Sequence, residues 1–212
     1  MESTIYSQSE IQALERRYRA TLINILSGFK SANLIGTTDS RGNHNLAIFN
    51  SVVHIGAKPP LLGMILRPTS VARHTFENIN ETGYYTINHI HQEIFQKAHQ
   101  SSAKYDREIS EFEACGFFPE VRDTHCAPYV RECFVKMGLK YVEEHFIEAN
   151  GTRLIVGEII ELILPEGSVE EDGFLNLAEY GTVTISGLDA YFSTEKIERR
   201  AFARPNEVPK TL

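Results

Sequence analysis

From Cys133 to Leu164 the sequence reads CFVKMGLKYVEEHFIEANGTRLIVGEIIELIL. Cys133, Val135, Met137, Leu139 and Tyr141 alternate with Phe134, Lys136, Gly138 and Lys140, a period of two that predicts a strand with one buried face. Asn150-Gly151 suits the two positive-φ positions of a tight turn, and Leu154 to Leu164 returns as the partner strand of a long hairpin.

Working outward, the same strand-and-turn grammar recurs. Asn33 to Thr37, the turn Asp39-Ser40-Arg41-Gly42-Asn43 and a run from Asn45 to Ile55 read as a second hairpin. Lys58-Pro59-Pro60 interrupts the ladder because proline lacks an N–H, and Leu61 to Leu66 resumes as a buried strand. Ser70 to Asn80 is expected to be a short helix, Tyr84 to Asn88 a strand after Gly83, and Ile90 to Ser101 a second helical segment. Before all of these, Ile11, Leu14, Tyr18, Leu22 and Ile25 recur at spacings of three and four, which predicts one amphipathic helix over residues 9–26 with Ser9 as its N-cap. Many strands, few helices and no βαβ rhythm point to a closed or partly closed antiparallel barrel.

Composition narrows the function. A chain of 212 residues buries a substantial core unaided. A net charge of -7 and no block of lysine or arginine give no general attraction to polyphosphate, so nucleic acid is not an expected partner. No apolar stretch approaches a membrane-spanning length. Met1 to Arg19 show no apolar segment behind a basic start, so the expected location is the cytoplasm. Cys115, Cys126 and Cys133 are an odd count without Cys-x-x-Cys spacing, as expected of reduced thiols. His89 and His91 share one face of a strand end, with His99 and His125 elsewhere, but no carboxylate or cysteine stands at ligand spacing and no metal is expected. The sequence has no Gly-x-Gly-x-x-Gly, no P-loop and no Gly-x-Ser-x-Gly, which disfavours a Rossmann site, a Walker phosphate site and the usual α/β-hydrolase nucleophile.

One region combines several chemical features. Asn45 to Ile55 carries small and amide residues at Ala47, Asn50 and Ser51; then come the Pro-Pro strand, Arg67-Pro68-Thr69-Ser70, and His74-Thr75-Phe76-Glu77-Asn78-Ile79. This order, continued through Gly83-Tyr84-Tyr85-Thr86-Ile87-Asn88, Lys104-Tyr105, Ser110-Glu111-Phe112, Gly157-Glu158-Ile159 and Gly187-Leu188-Asp189-Ala190-Tyr191, resembles the flavin reductase-like, FMN-binding split-barrel family over roughly residues 30 to 195. The resemblance implies a mainly β fold with flanking helices, a six-stranded antiparallel Greek-key split β-barrel. It implies a homodimer, with FMN near the subunit interface and hydride passing from NAD(P)H to flavin and on to a small-molecule acceptor. The domains expected are a helical extension over 1–29, an FMN-binding barrel over 30–195 and an arm or tail over 196–212.

In such a site Arg67, Thr69 and Ser70 would hold a phosphate beside a helix N-terminus, whose free N–H groups favour an anion. Thr75 and His74 are further phosphate candidates, Asn78 follows on the same helix, and Lys104 and Tyr105 would reach the flavin across a dimer. Ala47, Asn50 and Ser51 would offer a flat wall with close backbone approach for the ring. Each also has a structural reading: Thr69 or Ser70 as a helix cap, Thr75 bonded to its own helix, Arg67 and Lys104 as solvated loop residues. No catalytic side chain is expected, because a bound flavin supplies the reactive centre; His54 is at most a residue near the nicotinamide face. Two other functions fit the same fold: an electron carrier with tightly held FMN, and a non-catalytic split-barrel binding module.

Overall fold

A computed structural model describes residues 2–212. Two short helices, α1 (Gln8–Ala13) and α2 (Arg16–Leu26), precede strands β1 (Lys30–Ser31), β2 (Asn33–Thr38), β3 (His44–Phe49), β4 (Val52–Ala57) and β5 (Pro60–Leu66). Helix α3 (His74–Thr82) leads to β6 (Tyr84–His89), then α4 (Phe95–Gln100), α5 (Glu111–Ala114), β7 (Pro119–Arg122) and β8 (His125–Val130). The long pair β9 (Lys136–Ile147) and β10 (Thr152–Ile163), a 3-10 turn at Leu177–Tyr180, β11 (Thr184–Ser186) and β12 (Ala190–Phe192) complete the chain.

The main sheet has seven strands in the order β3-β2-β6-β9-β10-β5-β4, and its pairs are antiparallel. Its two edge strands, β3 and β4, are neighbours in the chain, separated only by Asn50 and Ser51. Laid flat, seven strands would hold their edges roughly 29 Å apart, whereas the link from Phe49 to Val52 reaches at most about 11 Å. The sheet must therefore roll up. Residues 44–57 act as one bent strand that pairs first with β2 and then with β5, which reconciles six expected strands with seven observed. No ladder joins β3 to β4, so the barrel is split at this seam. Taking that strand as one, the order β6, β2, β3/β4, β5 is a Greek key, closed by the 67–83 connection that carries α3.

Two apolar clusters fill the fold. Ile35, Met64, Leu66, Ile79, Tyr85, Ile87, Leu139 and Ile155 occupy the barrel interior, with α3 as a lid through Ile79. Leu34, Leu46, Ile90, Ile94, Phe112, Val130, Val183 and Ile185 pack the outside of the barrel against α4, α5 and β11. Leu34 and Ile35 face opposite clusters, so β2 is buried on both faces and its sequence does not alternate.

Several local expectations are corrected. The helix expected over 9–26 is two helices; Ser7, not Ser9, caps the first in a capping box with Glu10, and the Glu15 carboxylate caps the second. The run from Asn45 to Ile55 breaks at Asn50-Ser51. The helix expected from Ser70 begins at His74, with Arg73 at its N-cap, and the second helical segment shrinks to Phe95–Gln100. Strand β9 starts at Lys136 rather than Cys133. Its first residues are covered on both faces, because β8 lays His125 and Tyr129 over Gly138, so Lys136 is buried and pairs with Glu120 at 2.6 Å. Of the Asn150-Gly151 pair only Gly151 has positive φ, +72°. Asn150 uses its side chain instead, accepting from Thr152 N at 3.0 Å and Thr152 Oγ1 at 2.7 Å in a four-residue loop between paired Ile147 and Thr152.

Candidate functional site

The seam opens into a cleft of about 840 Å³. One wall is the bent strand, from Asn45 through Ala47, Ile48 and Phe49 to Asn50 and Ser51. Ile65, Leu66 and Arg67 lead out of β5 beside it; Arg73, His74 and Thr75 begin α3; residues 101–107 form the opposite lip; and Leu188 and Asp189 close one end.

The sequence-predicted residues divide cleanly. Ala47, Asn50, Ser51, Arg67, His74, Thr75, Lys104 and Tyr105 all line the cleft, brought together from four separate segments, whereas Thr69, Ser70 and Asn78 do not. Thr69 and Ser70 lie in the loop between Leu66 and α3 without capping the helix. Asn78 is 2% exposed and points into a polar core, donating to Thr37 Oγ1 at 3.1 Å. His54 is exposed on β4 and is not part of the cleft.

The side chains of Asn50 and Ser51 use their donors to hold the seam. Asn50 Nδ2 donates to Gly187 O at 2.8 Å, tying the β11–β12 turn to the barrel; Ser51 Oγ donates to Ile65 O at 2.8 Å. Beyond these bonds Asn50 keeps its second amide N–H and its Oδ1, and Ser51 keeps the acceptor capacity of its hydroxyl. Thr75 is buried and accepts from Asn45 Nδ2 at 3.2 Å, and Asn45 also donates to Thr37 Oγ1 at 3.3 Å, so this part of the wall is a packed polar network.

Free donors concentrate at the mouth. The N-cap residue Arg73 supplies no side-chain cap, and of the backbone N–H groups here the Glu77 carboxylate accepts only that of Arg73, at 3.2 Å, so the N–H groups of His74 and Thr75 lack the usual oxygen acceptor where they meet the cleft. Arg67 is exposed, and among the described residues neither Arg67 nor Lys104 forms an ion pair with a carboxylate. Arg73 is a lining residue that the sequence reading missed. Its Nε donates to Pro68 O at 3.3 Å, bracing the loop that presents Arg67; a second arginine six positions after Arg67 was the available signal. Arg107 and Ser101 were also missed, having no motif to mark them, and Asp189 was not singled out although it lies in the Gly187–Tyr191 segment that resembles the family. The one buried acid in the wall, Glu111, accepts from Leu46 N at 3.0 Å; burial pushes its carboxyl pKa up and the amide opposes the shift.

The histidines weighed as metal ligands do not converge. His91 Nε2 meets Glu132 O at 3.1 Å, His125 Nε2 meets Tyr129 Oη at 2.9 Å, and burial lowers the pKa of His89 to about 4. Among the described residues no group of three or more His, Cys, Asp or Glu converges as a metal site, and no helix is long and apolar enough to cross a membrane.

A rolled antiparallel sheet split along one seam, with a cleft there and cationic groups at its mouth, defines the split-barrel class. The sequence pattern of the family described as flavin reductase like domain matches residues 26–185, and the chain belongs to that family. A candidate flavin reductase with split barrel domain from Shewanella frigidimarina NCIMB 400 is 51% identical; the match covers 95% of this chain and 100% of that one, with a TM-score of 0.91. Nitrilotriacetate monooxygenase component B from Bacillus cereus shares the fold at 14% identity (92% and 98% covered, TM-score 0.81). So does flavoredoxin of Desulfovibrio vulgaris (Miyazaki F), at 22% identity (83% and 92% covered, TM-score 0.71).

Proposed function

We propose that the chain binds FMN in the seam cleft and works as a homodimeric oxidoreductase, taking hydride from NAD(P)H and passing electrons to a small-molecule acceptor. The observation that carries this reading is the N-terminus of α3, which has no side-chain cap from Arg73, opening on the cleft beside Arg67, which forms no ion pair among the described residues. A phosphate monoester satisfies both groups at once.

The donor set fits the cofactor. The cleft volume of about 840 Å³ lies within the range of small-molecule sites. Its inner wall at Ala47, Ile48, Phe49 and Ile65 is apolar, as a flat ring requires, while the cationic side chains Arg67, Arg73 and Lys104 and the imidazole of His74 line the cleft beside α3 and the 101–107 segment. Arg67 and the α3 amides would hold the phosphate, Arg73 would brace the loop bearing Arg67, and the backbone at Asn50 and Ser51 would face the polar edge of the ring. Bound flavin supplies the two-electron chemistry, so the chain's task is to orient both rings, keep water out and set the potential. Exposed apolar residues on the N-terminal segment, including Ile5, Tyr18, Leu26 and Phe29, support a partner subunit as their cover.

The test is the absorption of the purified protein at about 370 and 450 nm, where oxidised flavin absorbs, followed by FMN titration and anaerobic addition of NADH or NADPH. A yellow protein that bleaches with a nicotinamide is the expected result. Absence of FMN binding at micromolar concentration refutes the reading, and binding without bleaching restricts the protein to electron carriage from another donor.

A further inference from the structure

We infer that Arg107 is a positioning residue that fastens the 102–110 loop, which carries Lys104 and Tyr105, to α3 and the β2–β3 turn; the inference rests on the reading of the cleft as an FMN site. The loop has no strand or helix of its own, and its backbone bonds are local, such as Ile109 N to Asp106 O at 3.0 Å. Among the described residues Tyr105 Oη meets only Gln100 Nε2 at 3.3 Å and Cys115 Sγ at 3.8 Å. Among the described residues, every side-chain hydrogen bond or ion pair from 102–110 to α3 or to the β2–β3 hairpin comes from Arg107.

The guanidinium reaches three acceptors from two elements. Nη1 pairs with the Glu77 carboxylate, Nη2 donates to Asn78 Oδ1 at 3.1 Å, and Asp39 Oδ2 stands 4.0 Å from Nη2. Each acceptor is itself held: Glu77 Oε1 accepts from Arg73 N at 3.2 Å. Asp39 is buried and accepts from Arg41 N at 3.0 Å, Asn43 N at 2.9 Å and Asn43 Nδ2 at 2.9 Å, so the β2–β3 turn is a single rigid piece. Asn78 bonds Thr37, which bonds Asn45, which bonds Thr75. The clamp on the loop is thereby continuous with the opposite cleft wall at Asn45 and Thr75. A lysine cannot reproduce a fork that reaches several acceptors.

Without this anchor, Lys104 and Tyr105 must be ordered when ligand binds, which costs on the order of tenfold in affinity. Arg107 belongs to neither apolar cluster, so its removal leaves the barrel core intact.

The test measures FMN dissociation constants by flavin fluorescence on the full chain for the wild type, Arg107→Met, Arg107→Lys and Glu77→Gln, and for Arg107→Met in a Lys104→Ala/Tyr105→Phe background. Amide hydrogen exchange of residues 102–110 is measured on the ligand-free proteins. Arg107→Met is expected to weaken FMN about tenfold and to speed exchange in 102–110 while the barrel strands keep their protection. Arg107→Lys recovers little of the loss, Glu77→Gln gives a smaller loss of the same kind, and in the double-substituted background Arg107→Met changes affinity less than twofold. An unchanged FMN affinity in Arg107→Met, or an equal loss in both backgrounds, overturns the proposal. If the wild type binds no FMN, the flavin reading fails, and exchange alone then decides: faster exchange confined to 102–110 sustains the anchoring role, and unchanged exchange removes it.

Discussion

Replacing Arg67 by glutamine tests the proposed phosphate end of the cleft. The side chain is exposed and makes no ion pair among the described residues, so its loss leaves no buried charge behind, and any effect on affinity reports its contact with ligand. A charge-assisted hydrogen bond contributes about 1.5–3 kcal/mol net. Because Arg67 sits at the solvent edge, screening places it at the low end. About 1.4 kcal/mol corresponds to a tenfold rise in Kd. The α3 amides remain, so binding is weakened rather than abolished. The assay is fluorescence titration with FMN and with riboflavin, which lacks the phosphate. Arg67→Gln is expected to raise Kd for FMN about tenfold and to leave riboflavin unchanged. The gap between wild type and variant should narrow as salt shortens the Debye length below about 8 Å. Equal weakening of FMN and riboflavin, or no change for FMN, would refute the placement of the phosphate.

Two further predictions concern the scaffold. A methyl group added at Gly157 would collide with the Tyr85 hydroxyl and come within 2.8 Å of its Cζ, and Tyr85 is fully buried; Gly157→Ala should cost about 1–3 kcal/mol, a fall of roughly 2–12 °C in Tm by thermal circular dichroism. Tyr85→Phe removes the nearest clashing atom, so the same substitution should cost less in that background, and equal losses would show that the hydroxyl is not the obstacle. Hydrogen bonds from Asn43 and Arg41 hold the Asp39 carboxyl at a pKa of about 2, below its ordinary 3.8. The folded state then binds this proton less readily than the unfolded state, so the stabilisation is complete above about pH 4 and is lost as pH falls toward 2. Urea titrations of wild type and Asp39→Ala should differ most near neutral pH and converge by about pH 2, and a constant difference would disprove the linkage.

What was legible in the sequence was whatever local chemistry dictates. The β9–β10 hairpin shows in its alternation, the 39–43 turn in its Asp-x-x-Gly-Asn composition, and the start of β6 in Gly83, whose left-handed φ of +77° also caps α3 at Thr82 rather than at the expected Asn80. Illegible features depend on partners far along the chain. Nothing between Phe49 and Val52 announces that the chain passes from one sheet edge to the other, since apolar residues continue on both sides of Asn50-Ser51. Thr69 and Ser70 invite a cap, yet the chain does not turn helical until His74, and that delay leaves the N–H groups free. Lys136 has the look of a solvent-facing residue until β7 and β8 cover it. Asn78 has the right residue type in the right helix but faces Thr37 instead of the cleft. Arg107 sits in a polar loop, where only tertiary contacts distinguish it from Arg122 or Arg131.

The position of the cleft follows from topology. Strands β4 and β5 form a tight hairpin, so the end of β5 must lie level with the start of β4: Met64 pairs with Val52, and Ile65 N donates to Ser51 O at 3.3 Å. The start of β4 is the seam, and the chain therefore leaves β5 at Arg67 directly beside Asn50 and Ser51. The Greek-key return to the far side of β2 then has to cross the barrel end, and α3 makes that crossing, starting from the seam with its N-terminus first. An unpaired sheet edge, a cationic loop and a helix N-terminus are thus brought to one place by strand order alone. The side chains at Arg67, Arg73, Lys104 and Arg107 line a cleft whose location the fold had already determined.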